Sequence, residues 1–165
     1  MGNAADSAIA AREQFMRRAL VMAGRSLAAG GPPVGACLIR AGKVLAEGHN
    51  SVISELDVTA HAEIQVIRAA CQKLRALNLS GCDLYVTVQP CPMCLSACFY
   101  AGIARIVYGA PIESLRNITQ HELCVAAPQL FAQQANVPVV EGDCLAAECM
   151  ALIDDWARSR AEQLR

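Results

Sequence analysis

Charge is scarce in this sequence, and neither sign dominates. Only 18% of the 165 residues are charged, 14 Lys and Arg against 15 Asp and Glu, for a net charge of −1. With 55% apolar residues, this composition excludes a disordered chain, which lacks the apolar surface needed to offset the entropy of ordering. The missing positive excess argues against strong non-specific affinity for nucleic acid. The one N-terminal basic grouping, Arg12, Arg17, Arg18 and Arg25, reads as the solvated face of a helix. No internal repeat and no linker interrupts the chain, so one domain over residues 1–165 is expected. Charges break up the N-terminal segment, which therefore does not read as a signal peptide. The uncharged run Leu84–Ala104 is long enough to span a bilayer, but Gln89, Pro90, Pro92 and paired cysteines stand in its middle. That excludes a membrane partner. Nine cysteines, an odd number, without a secretory signal point to a reducing compartment, the cytoplasm.

Against this background two short segments stand out: His61-Ala62-Glu63 and Pro90-Cys91-Pro92-Met93-Cys94. One imidazole and two cysteines make three soft ligands, which suits zinc and leaves a fourth tetrahedral position open. Glu63 adds a carboxylate that can manage protons beside that position. Three protein ligands with a non-ligating acid is the layout of a catalytic zinc site, whereas structural sites close with four. A redox dithiol also fits Cys91-x-x-Cys94 behind a strand, but it leaves His61 and Glu63 without a role. The other seven cysteines, Cys37, Cys71, Cys82, Cys98, Cys124, Cys144 and Cys149, read as small buried apolar residues.

Local patterning places both segments at helix starts. Residues 84–88 read as a buried strand rich in β-branched and aromatic side chains. Pro90 and Pro92 stop it, and Pro92 fits the first helical position, where a missing N–H costs nothing. Cys91 and Cys94 then share one face of the opening turn. After Glu63, the residues Ile64, Ile67, Cys71, Leu74 and Leu77 recur at helical spacing and are expected to face a core. His61 and Glu63 stand about 200° apart around a helix, so they converge only on a metal beyond the helix's N-terminal end. Two helix N-termini would then aim free N–H groups and positive dipole ends at one point, which favours thiolates and a carboxylate.

The rest of the chain reads as a helix over about 7–29, a hairpin with strands near 34–40 and 44–49, and a loop over 50–59. The His61 helix, the strand at 84–88, the Cys91 helix to about 101 and a strand at 104–109 follow. An irregular stretch to about 127 precedes a short helix near 128–135, a strand near 137–141 and a last helix from about 143 to 162. That last helix carries an apolar stripe of Leu145, Cys149, Leu152 and Trp156. Helices alternating with about five strands predict a three-layer α/β domain.

With His-Ala-Glu and Pro-Cys-Pro-Met-Cys at helix starts, the chain resembles the cytidine deaminase-like superfamily, whose zinc signature is H-x-E…P-C-x-x-C. The closest likeness is to the branch holding guanine deaminases, cytosine deaminases and bacterial tRNA adenosine deaminases. It extends over nearly the whole chain, through Pro33-Val34-Gly35-Ala36, Gly48-His49-Asn50, Thr59-Ala60-His61, Leu84-Tyr85-Val86-Thr87 and Val107-Tyr108-Gly109-Ala110. The resemblance implies an α/β/α sandwich around a central mixed five-stranded sheet. It implies one zinc per subunit held by His61, Cys91 and Cys94, with Glu63 as the catalytic proton carrier. It further implies base contacts from the Asn50 side chain and the Ala62 backbone, and oxyanion contacts from the backbone at Pro90 and Cys91. A homodimer is implied too, with Leu95, Phe99 and Tyr100 on the helix after the cysteines available to form it.

Departures from the family pattern bear on the substrate. Gln89 stands where many members carry Glu before Pro-Cys. After Ala110 the chain reads Pro111-Ile112-Glu113-Ser114-Leu115, without the Arg-Asp and Lys/Gly-rich loop of tRNA adenosine deaminases. The Gly-Phe-Asp-Asp stretch of guanine deaminases is also missing. Specificity is therefore expected to be written in Arg116–Leu123 and the last helix. The expected activity is hydrolytic deamination of a free nucleobase or nucleoside of guanine, cytosine or isocytosine type. Adenosine in a tRNA anticodon loop is the alternative, and it would need a basic rim for the phosphates. A structural zinc or redox protein without catalysis is the reading from another class. Among lesser candidates, His49 reads as a hairpin-end residue making a structural hydrogen bond, and His121 is not expected to ligate. Trp156 reads as core, and Asp154 and Asp155 as a solvated face.

Overall fold

The computed structural model describes residues 4–163. Helix α1, Ala4–Ala28, buries Met16, Ala19, Met22 and Ala23 at helical spacing and turns its arginines outward, Arg12 only partly. Strands β1 (Gly35–Arg40) and β2 (Lys43–His49) form a hairpin. Its two-residue turn puts Ala41 and Gly42 at φ 49° and 72°, the paired positive φ that matches strand twist. The short helix α2, Val52–Glu55, leads to α3, Ala62–Leu74. Then come β3 (Cys82–Val88), α4 (Pro92–Tyr100) and β4 (Arg105–Ala110). The chain finishes with α5 (Glu113–Thr119), α6 (Ala127–Leu130), β5 (Val139–Glu141) and α7 (Ala146–Gln163).

The five strands lie in the order β2-β1-β3-β4-β5. Strand β1 runs antiparallel to both β2 and β3, while β3, β4 and β5 are mutually parallel. Helices α1 and α7 pack together on one face, and α3 and α4 on the other. The expected α/β/α sandwich with a mixed five-stranded sheet is therefore the observed architecture. Strands β1, β3 and β4 are buried almost throughout, as strands covered on both faces must be. Gly35 lies where α1 crosses β1, and a methyl group there would run into the Ala19 carbonyl and the Ala23 N–H.

Register fixes where chemistry can occur. Gly35 pairs with His49, Ala36 with Val86 and Val88 with Ala110. The start of β1, the end of β2 and the ends of β3 and β4 consequently meet at one edge. This is the carboxyl end of the parallel strands, where ligands bind in open α/β sheets.

Several local expectations need correction. The loop over 50–59 contains α2, a single turn too short to show a period, closed by Leu56 at φ 52°. The stretch after Pro111 is irregular only over 120–126. It holds α5, which buries Leu115 and partly buries Ile118 but opens without a side-chain cap, so its start carries no sequence mark. On α3 the core face runs through Ala62, Val66 and Ala70, with Ile64, Ile67, Cys71 and Leu74 only half-buried. Leu77 lies beyond the helix and is 85% exposed. Small residues face the sheet because α3 sits close to it. On α7 the buried stripe is Cys149, Ile153 and Trp156, while Leu145 and Leu152 are half-buried. All nine cysteines are free, but Cys71 and Cys124 are only half-buried. Among the described residues no helix is long and apolar enough to cross a membrane.

Candidate zinc and substrate site

The two motif segments meet as the helical geometry requires. His61 is the N-cap of α3 and Cys91 the N-cap of α4, both in extended backbone, with Pro92 at the start of α4. The first intrahelical bonds are Gln65 N–H to His61 O and Leu95 N–H to Cys91 O. The N–H groups of Ala62, Glu63, Met93 and Cys94 therefore have no partner within their helices. His61 Nδ1 lies 3.8 Å from Cys91 Sγ and 3.6 Å from Cys94 Sγ. Among the described residues this is the one group of His, Cys, Asp or Glu atoms close enough to share a metal.

The donor set fits zinc: one imidazole and two sulfurs at tetrahedral-edge separations, with no fourth protein ligand among the described residues. A second observation supports it. Glu63 is only 3% exposed, and its Oε2 has no hydrogen-bond partner, a buried carboxylate oxygen waiting for one. Burial, and then the Cys91 thiolate, push the Glu63 carboxyl up to about 7, against the pull of His61. In the cysteine pair, a hydrogen bond from Cys94 holds Cys91 down at about 4, despite its burial. That bond and burial push Cys94 upward. Hydrogen bonding to Cys91 raises His61, and burial opposes it.

The cavity in front of these residues has apolar walls from Pro32, Val34, Val52, Ile53, Val88, Ile112 and Leu115. Its polar lining is Asn50, His61, Glu63, Gln89, Cys91 and Glu122. Asn50 is 7% exposed. Its Oδ1 accepts a hydrogen bond from Val52 N–H at 3.2 Å, which leaves the amide NH2 as its free donor. Of the predicted site residues, Asn50, His61, Glu63 and Cys91 line the cavity. Ala62, Pro90 and Cys94 are buried in the same segments without forming its wall. Proline lacks an N–H, so of Pro90 and Cys91 only Cys91 can donate to an oxyanion. His49 Nδ1 bonds the Asn50 carbonyl at 3.0 Å, His121 is exposed in a loop, and Trp156 is core.

Glu122 was not singled out by sequence reasoning beyond its place in Arg116–Leu123. Its Oε1 accepts from Thr119 Oγ1 at 3.2 Å, and its charge reaches His61 across the cavity. A glutamate in a loop has no periodic or motif signal, so only the fold could place it.

The family described as "Cytidine and deoxycytidylate deaminase zinc-binding region" matches residues 9–110. The chain belongs to this deaminase family. Its relatives include the guanine deaminase of Bacillus subtilis, 43% identical over 59% of this chain. That match spans 64% of the relative, just under two thirds of its length. The tRNA-specific adenosine deaminase of Agrobacterium fabrum is 41% identical, with 75% of this chain and 86% of that enzyme covered. Among solved structures, the guanine deaminase of Nitrosomonas europaea superposes with a TM-score of 0.78 at 25% identity, covering 88% of this chain and 84% of that one. Members of the family are hydrolytic deaminases acting on C–N bonds, and zinc is their cofactor. His61, Cys91 and Cys94 are the residues that fit it here.

Proposed function

We propose that this deaminase converts a free nucleobase or nucleoside of guanine or isocytosine type, or a cytosine, to its keto form with release of ammonia. The observation that carries this reading is the cavity lining: two carboxylates, two amides and, among the described residues, no lysine or arginine. A phosphate-bearing RNA needs cations along its path. The Glu122 carboxylate accepts hydrogen bonds only, so it suits a base with a ring N–H beside its reacting amine. Guanine and isocytosine have one. Adenosine in RNA has only acceptor ring nitrogens. The Asn50 NH2 complements this by donating to a ring nitrogen or carbonyl. The apolar walls sandwich the flat ring and keep bulk water out.

When bound, zinc supplies Lewis acidity, enough to bring a water's pKa from about 15.7 toward 7. Glu63 stands next to that position with one oxygen unpartnered. It would take a proton there and deliver it to the ring nitrogen, then take the proton of the hydroxyl added to the amino-bearing carbon and pass it to the departing amine, leaving the keto group and ammonia. The free N–H groups at the starts of α3 and α4, Ala62 among them, meet developing negative charge on substrate oxygen.

The chain works in this reading as one deaminase domain, cytoplasmic, with one zinc per subunit, and as a homodimer. Tyr100, 84% exposed at the end of α4, supports an outward contact there. Leu95 does not: it is fully buried in its own core, and Phe99 stacks at 5.4 Å on Phe131 of the same chain. Adenosine in an anticodon loop remains the second reading, favoured by 86% coverage of the Agrobacterium fabrum enzyme.

Ammonia release by zinc-loaded protein across guanine, isocytosine, cytosine, adenine, their nucleosides and an anticodon stem-loop tests the reading. Activity on a guanine-type base is expected. Activity confined to the stem-loop would overturn it in favour of tRNA.

A further inference from the structure

One fully buried hydroxyl lies behind the cavity wall and belongs to neither motif. Ser26, in the last turn of α1, has no exposed surface. Its Oγ stands 2.7 Å from Pro32 O and 2.9 Å from Asn50 O. Both partners belong to residues that line the cavity, and they come from segments on either side of the hairpin. One hydroxyl proton thus ties two parts of the pocket wall to the end of a helix. Gly31 completes the arrangement. Its N–H donates to Ser26 O at 2.9 Å, and a methyl on its α-carbon would stand 2.8 Å from Ser26 Oγ. The close approach leaves no room for a side chain at that position.

We propose that Ser26 is a positioning residue for base recognition: its hydroxyl, shared between Pro32 O and Asn50 O, holds the Asn50 amide at the angle that meets the base. The proposal rests on the reading of Asn50 as a base contact. Asn50 is fixed at three further points: its N–H donates to Val34 O at 2.9 Å, its carbonyl meets His49 Nδ1 at 3.0 Å, and its Oδ1 takes the Val52 N–H. Pro32 O likewise accepts from Val34 N–H at 2.7 Å. Neither carbonyl is orphaned when Ser26 loses its oxygen, so the wall loosens while the fold persists. Asn50 then samples orientations that no longer match the bound ring, and substrate binding suffers more than chemistry. The zinc ligands, on α3 and α4, are untouched.

The test compares zinc-loaded Ser26→Ala, Asn50→Ala, the double variant and Met16→Val, a core change on the same helix away from the cavity. Kinetics use guanine, isocytosine, cytosine and an anticodon stem-loop, with a crystal structure of Ser26→Ala as a readout independent of turnover. The expected result for Ser26→Ala is a KM about tenfold higher with kcat within about twofold, full zinc content, and an Asn50 side chain displaced from Val52 N–H. Met16→Val should lower Tm and leave KM alone. The double variant should be no worse than Asn50→Ala, because Ser26 acts through Asn50. An undisplaced Asn50 and unchanged KM in Ser26→Ala, or effects that simply add in the double variant, would overturn the proposal alone. An unchanged KM in Asn50→Ala would overturn the reading of Asn50, and this proposal with it.

Discussion

Replacing Glu63 by glutamine separates two quantities that the structure couples: turnover and stability. The side chain keeps its shape but loses its proton chemistry. In the proposed mechanism Glu63 moves protons in two successive steps, and a positioned acid–base group contributes about 10²–10⁴-fold. Barriers crossed in succession do not multiply, so a loss of about 10²–10⁴ in kcat is expected, about 3–5.5 kcal/mol of barrier. Zinc content should stay at wild-type level, because Glu63 is not among the three candidate ligands. Stability should move the other way in the metal-free protein. A carboxyl raised from 4.5 to about 7 by burial costs the folded state roughly 3 kcal/mol once it is ionised in both states. For an acid with a raised folded pKa, that cost is absent below 4.5, grows as pH rises from there, and is complete above about 7. Glutamine removes the cost but buries an amide of its own that lacks partners, worth about 1–3 kcal/mol. A net gain of about 0–2 kcal/mol at pH 8 follows from that difference, turning into a loss of about 1–3 kcal/mol near pH 4.5, where only the amide penalty is left. Urea unfolding of chelator-treated protein at several pH values measures the gain, and ammonia release with metal analysis measures the rest. Near wild-type turnover in Glu63→Gln would refute the catalytic assignment. A gain that does not change with pH would refute the burial argument.

Three further outcomes are expected. Cys94→Ser should lower bound zinc well below one per subunit by metal analysis, and saturating zinc should no longer raise its Tm, since binding to the folded state alone stabilises it by mass action. Glu122→Gln should raise KM for guanine by about 10–100-fold, the value of a hydrogen bond to a charged group, while an adenosine stem-loop is unaffected; equal losses on both would remove Glu122 from base selection. Gly35→Ala should destabilise the fold by about 1–3 kcal/mol in urea unfolding, because α1 must move off β1 to admit a methyl group; an unchanged midpoint would contradict that close approach.

The candidate zinc ligands and Glu63 were legible in the sequence because their spacing is local. His61 with Glu63, and Cys91 with Cys94, each fall within one opening helical turn, and turn geometry is dictated by neighbouring residues such as Pro92. The long elements were legible for a related reason: α1, β1, β3 and β4 carry enough periodic or continuous apolar residues to declare themselves. Helices α2 and α5 did not, since one or two turns hold too few apolar residues to display a period. The face of α3 was legible only in part: Ile67, Cys71 and Leu74 do pack against the core, but the helix lies closest to the sheet on Ala62, Val66 and Ala70, whose small size gave no mark.

What tertiary structure alone decided is which distant residues share the cavity. Strand register brings the start of β1, the ends of β2, β3 and β4, and the starts of α3 and α4 to one edge. Asn50 and Glu122 thereby face one cavity, with the hydroxyl of Ser26 behind its wall. No spacing rule reaches across such separations, because the contacts depend on how the sheet pairs and how helices cross it. The sequence alone determined a metal-binding deaminase chemistry, since three ligands and an acid are written in two short segments. The cavity in front of them exists only once the sheet has brought its edge together.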